Sequence, residues 1–190
     1  MSNAIVPALA EVEIVRTLNL CQVGHLDEEL ASSEDGIGLN LAYFDARGWD
    51  ASDVDSVLQE ENELLDSLAA AGWTTNEAAE LLEEHFSDWT VLSSMDAGMG
   101  GAVLALSAAG ATPISSCNGG TIGIEYHSSD VPHILFAGSD AMDAAAIQFA
   151  LETADLGAIV NAPFGEIYAD QVLKFSRFAR VLVDRLLDGS

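Results

Sequence analysis

Apolar residues recur every three or four positions through most of the first half of the chain, which predicts helices there. Pro7 at a first turn is followed by Leu9, Val12, Ile14, Val15, Leu18 and Cys21, a stripe that Gly24 would end. A second helix is predicted from Ser52 to Ala71, with Val54, Val57, Leu58, Leu64, Leu65 and Leu68 on one side and Gly72 as its stop. A third begins at Thr74, where Thr74 and Glu77 have the spacing of a capping box, and runs to His85. Between the first two, Ser32, Ser33, Gly36 and Gly38 mark a loop before the short apolar segment Leu39 to Phe44. Trp49, Trp73 and Trp89 stand at segment ends, where indoles pack corners.

From about Asp88 the pattern changes. Three glycines precede a small-residue helix over Ala102 to Ala109, and strands are then predicted at Thr112–Ser116, Thr121–Tyr126 and His133–Ala137. Ser139 or Asp140 would cap a helix from Ala141 to Ala154. Ala158–Val160 and Glu166–Ala169 flank a hairpin loop, and Val172, Phe175, Ala179, Leu182 and Leu186 form the clearest helical stripe of all. A hairpin following a helix argues against a fully parallel doubly wound sheet. The expected fold is therefore α+β: a helical N-terminal half, and a C-terminal two-layer unit whose mixed or mainly antiparallel sheet carries helices on one face. The halves divide as 1–87 and 88–190, as separate regions or as one compact domain.

Charge alters this picture more than composition does. The chain of 190 residues has 31 acidic side chains against six basic ones, a formal net charge of -25. Between Arg47 and Lys174 there is no Lys or Arg, and Lys174, Arg177, Arg180 and Arg185 crowd the C-terminal helix. Nucleic-acid affinity comes from cations that neutralise phosphates, so direct DNA or RNA binding is not expected. Self-repulsion of this size is relieved when salt shortens the Debye length to about 3 Å at 1 M. The acid-rich, lysine-poor composition resembles that of proteins from salt-accumulating halophiles. The competing reading is an acidic decoy of a polyanion, against which the interleaving of acids with apolar positions argues for ordinary solvated faces. No apolar run approaches a membrane span and no basic leader precedes one, so a cytoplasmic protein without membrane association is expected. Cys21 and Cys117, with no CxxC pair, fit a reducing compartment.

Candidate chemistry gathers in the second half. Asp96-Ala97-Gly98-Met99-Gly100-Gly101 opens a helix, and free amides at Gly98, Gly100 and Gly101 would attract an anionic group; the alternative is a tight turn with close helix packing. The run lacks the features of a P-loop or a dinucleotide fingerprint. Cys117 follows a predicted strand, with Asn118, Gly119 and Gly120 supplying amides; it could serve as a thiol nucleophile with His127 as base and Asp96 or Asp130 as orienter. Asn118-Gly119 is equally a hairpin turn signal, a buried cysteine is often a small hydrophobe, and acidic neighbours disfavour a thiolate. Cys117, His127, Asp130 and His133 are also possible ligands for a divalent metal ion, at separations that match no short motif. The C-terminal cations suggest a docking face, within the molecule or toward a second copy or another protein. Two functions follow: a non-enzymatic binding or regulatory protein of undetermined small-molecule or protein ligand, or a small cysteine-dependent or metal-assisted hydrolase or transferase using Cys117 and His127.

Overall fold

The structure, a computed structural model, describes residues 7, 9–26, 45–87, 90–122, 129–161 and 163–189. Helix α1 (Ala51–Ala71) starts where the Asp50 carboxylate accepts from the Ser52 amide and ends at Gly72, whose φ of 93° is the left-handed conformation that glycine adopts without strain. Helix α2 (Asn76–Ser87) follows within a few residues. Its cap is Thr75, whose Oγ1 accepts from the Ala78 amide, one position later than the expected Thr74. A 3-10 turn, Leu92–Ser94, leads to α3 (Gly100–Ala108).

Helix α3 is apolar all round, and every residue from Gly100 to Ser107 is buried, as a helix enclosed on all sides requires. Helix α1, the C-terminal helix α5 (Leu173–Asp188) and strand β1 (Thr112–Cys117) enclose it. The remaining elements are β2 (His133–Ala137), α4 (Ala144–Ala154), β3 (Gly157–Asn161) and β4 (Phe164–Tyr168). Asp143, with its carboxylate accepting from the Ala146 amide, caps α4; Ser139 and Asp140 lie ahead of the helix.

The sheet order is β1-β2-β4-β3, and every pairing is antiparallel. Of the expected strand Thr121–Tyr126, only Thr121 and Ile122 are among the described residues, and neither is in a strand. Along β2 the side chains alternate: Ile134 and Phe136 enter the main core with the helices, while Ala137 joins Ile114 and Phe164 on the other face, with Leu135 and Leu26 packed against them. Among the described residues, helices therefore cover one face only. The main core is continuous from Leu20 through α1 and α3 to Val183, so side chains of both halves share it.

The first stripe corrects the expectation of an N-terminal helix. Residues 9–19 contain no helix; from Leu9 to Val15 exposure alternates residue by residue for most of the way, the period of an extended chain. The β-branched Val12, Ile14 and Val15 suit this form, and the open edge of β3 supplies partners: Ala158 N–H donates to Val15 O, and Thr17 N–H donates to Ala158 O at 2.8 Å each. The Tyr168 hydroxyl fastens the segment, donating to Glu13 O at 2.9 Å and accepting from Val15 N–H at 3.0 Å. Its ring lies over Gly157, where an added Cβ would fall 2.3 Å from the ring, so glycine is required beneath it. Tyr168→Phe is expected to cost about 1 kcal/mol and to speed limited proteolysis of residues 9–18; unchanged cleavage there would show that the β3 edge holds the segment unaided.

Candidate functional site

Two turns that are far apart in sequence meet at one corner of the molecule. The Asp96–Met99 turn ahead of α3 lies against the Cys117–Ile122 turn after β1. Asp96 Oδ2 accepts from the Asn118 amide at 3.0 Å, and Ala97 O accepts from Asn118 Nδ2 at 3.4 Å. Gly98, at φ 85°, leaves room for Val172, Ile122 and Leu65: a Cβ there would sit 3.0 Å from Val172. Gly119 and Gly120 both have positive φ, 70° and 65°, the left-handed region that glycine enters without strain. Asn118 Oδ1 accepts from Gly120 N–H, so both ends of the buried amide side chain have partners, and the Asn118 backbone O accepts from Thr121 Oγ1. Gly119 and Gly120 reach solvent, whereas Gly98, Gly100, Gly101 and Asn118 are buried.

Cys117 is buried beneath this corner. The amides of Gly119, at 3.4 Å, and Ser129 donate to its sulfur, and the thiol is hydrogen bonded to Asp96. Burial pushes the thiol pKa up, the two amides oppose this, and the Asp96 charge adds to the rise. The thiol is thus held protonated, the opposite of what a low-pKa nucleophile needs. His133 is the direct cross-strand partner of Cys117 in the β1–β2 pair. Its Nδ1 lies 2.9 Å from Val131 O, which places the proton on Nδ1. Asp130 is exposed, and His127 lies outside the described residues. Among the described residues, no three His, Cys, Asp or Glu side chains form a group able to hold a metal ion.

The first amides of α3 already face a carboxyl group of the chain's own. Glu61, on the core side of α1 and 2% exposed, accepts from Gly101 N–H at 3.1 Å and also from Gly100 N–H. Both glycines are needed: a Cβ at Gly101 would lie 2.3 Å from Leu58 Cδ2 and 2.6 Å from Glu61 Oε2, and one at Gly100 would lie 2.5 Å from Leu92 Cδ2. Burial outweighs the two amides and raises the Glu61 pKa to about 7. Glu61 carries a signal in the sequence that points to this site. It occupies the same stripe as Val54, Val57, Leu58, Leu65 and Leu68, where an acid is out of place.

The C-terminal cations make contacts within the molecule. Lys174 pairs with Asp155 at 2.8 Å, Arg16 reaches the same carboxylate at 2.7 Å, and Arg180 of α5 pairs with Asp55 of α1. Arg185 lies over the Phe149 ring at 5.5 Å, and Arg177 is exposed. Lys174 and Arg16 together hold the Asp155 carboxyl below the usual carboxylate range. No helix among the described residues is long and apolar enough to cross a membrane. No protein-family model, curated protein or solved structure matches the chain.

Proposed function

We propose that this chain is a non-enzymatic binding or regulatory protein of a salt-rich cytoplasm, whose contact surface is the corner formed by the Asp96–Gly101 and Cys117–Gly120 turns. The observation that supports this reading over the hydrolase or transferase is the state of Cys117. A nucleophilic cysteine needs positive or donor-rich surroundings that favour the thiolate. Here the sulfur is buried, and its charged neighbour is the carboxylate of Asp96. The hydrogen bonds linking the turns use Asp96, Cys117 and Asn118 to hold one loop on the other, leaving Gly119 and Gly120 as the outward rim. The net charge of -25 sets the class of partner. Polyanions are repelled, so the partner is a protein or a small molecule rather than a nucleic acid or an anionic lipid.

Cys21, exposed near the other end of the chain, provides an internal reference for testing this. Iodoacetamide at pH 7 is expected to label Cys21 first and leave Cys117 unmodified until the protein is denatured, as read by intact mass and peptide mapping. Labelling of Cys117 ahead of Cys21 in the native chain would restore the enzyme reading.

A further inference from the structure

We propose that Glu61 makes the seating of α1 on α3 depend on a proton, so that the two helices dock closely while the carboxyl is neutral and loosen as it ionises. The geometry is that of a helix–helix contact closed over an acid. Leu58 and Glu61 of α1 press directly on Gly100 and Gly101, with Leu92 and Met95 of the preceding turn closing the side. A Cβ at Gly100 would meet Leu92, Glu61 and Met95 within 3.6 Å, so the carboxyl is enclosed by side chains as well as by the helix end. An ionised carboxylate at 2% exposure gains from two amides but loses its hydration, and it can recover water only if α1 moves off the start of α3.

Among the described residues, no opposite charge faces the group. Helix α3 contains no ionisable side chain, and neither does the Leu92–Met95 turn. Asp96 is engaged with Asn118 and Cys117. On α1, Glu60 and Glu63 are exposed, and Asp55 pairs with Arg180 of α5. On α5, Lys174 pairs with Asp155 and Arg177 is exposed. Helix α2 carries Glu77, Glu80, Glu83 and Glu84 on its exposed side, and His85 lies edge-on to Phe86. The proton equilibrium of Glu61 is set by burial against the amides of Gly100 and Gly101.

The direction follows from linkage. Glu61 holds its proton more tightly folded, at about 7, than in the unfolded chain, where its carboxyl titrates at about 4.5. The stabilisation is therefore complete below the unfolded value and disappears as pH rises through the folded one. The test is carried out in 2 M KCl, where exposed charges are screened and the buried group is screened much less. A carbon-detected NMR titration of the Glu61 carboxyl in the native chain is expected to show a midpoint near 7. The amide-exchange protection factors of Gly100 and Gly101 are expected to fall above that midpoint. The folding equilibrium constant is expected to drop about tenfold per pH unit between about 5 and 7 relative to Glu61→Gln. A carboxyl midpoint in the ordinary glutamate range, glycine protection that does not change across the titration, or Gln and native stability curves that run parallel would each overturn the proposal. The first two readings need no variant, so they decide the matter even if Glu61→Gln does not fold.

Discussion

Gly101→Val is expected to destabilise the protein by about 3 kcal/mol. The first added carbon already falls 2.3 Å from Leu58 Cδ2 and 2.6 Å from Glu61 Oε2. Leu58 is 1% exposed and Glu61 2% exposed, so neither side chain can swing into solvent to make room. Separating the helices would also break the hydrogen bonds from the Gly100 and Gly101 amides to Glu61, which adds to the cost of the steric conflict. The gain in helix propensity from removing a glycine is at most about 1 kcal/mol and does not offset this. Gly189→Ala serves as the control. There a Cβ would find its nearest neighbour at 3.4 Å, just past the end of α5, and the stability from denaturant unfolding should change by no more than a few tenths of a kcal/mol. Equal effects of the two substitutions would mean that the helix contact is looser than its geometry implies.

Salt should act on the whole molecule. With 31 acids and six bases, circular dichroism at pH 7 is expected to show a thermal midpoint that climbs steeply from dilute buffer to molar KCl. Two electrostatic effects oppose each other. Screening weakens the favourable pairs, Arg16 and Lys174 with Asp155 and Arg180 with Asp55, as well as the repulsion among the remaining acids. The pairs are few and partly exposed, worth about 0–1 kcal/mol each, whereas the uncompensated charge is -25, so relief of repulsion dominates. Full stability in dilute buffer, or a midpoint that falls with added KCl, would remove the argument for adaptation to salt. The pH response separates the buried from the exposed carboxyls. Asp155 is stabilising above its unfolded pKa and loses that contribution in acid, while Glu61 acts in the opposite sense between about 5 and 7.

The proposed contact corner and the Glu61 contact are neighbours through α3. The turn that bears Asp96 and Gly98 runs directly into the helix whose first amides Glu61 accepts from. A displacement of the start of α3 would therefore act on the hydrogen bonds between Asp96 and Asn118, which join the two turns. Mapping of the Gly101→Val variant by amide exchange would show whether the Cys117–Ile122 turn loosens with α3.

The sequence by itself determined the elements whose periodicity had no rival. Helices α1 and α5, the strand His133–Ala137 and the hairpin of β3 and β4 follow from apolar spacing and from the stops at Gly72 and Pro163, because local sterics and a one-sided apolar stripe are enough to specify them. The same local rules put a glycine turn at Gly119 and Gly120 after β1, and Gly100 and Gly101 at the head of a helix. Tertiary structure decided the rest. Val12, Ile14 and Val15 fit either period, and it was the open edge of β3 and the Tyr168 hydroxyl, both about 150 residues away, that drew the segment into an extended form. Only the packing of α1 on α3 turned an acid on an apolar stripe into the acceptor of the glycine amides, because a carboxyl's neighbours depend on which helix faces it and spacing along one chain segment does not encode that. The burial of Cys117 likewise arises from Asp96 and the turn beyond, so its protonation is a property of the assembled corner.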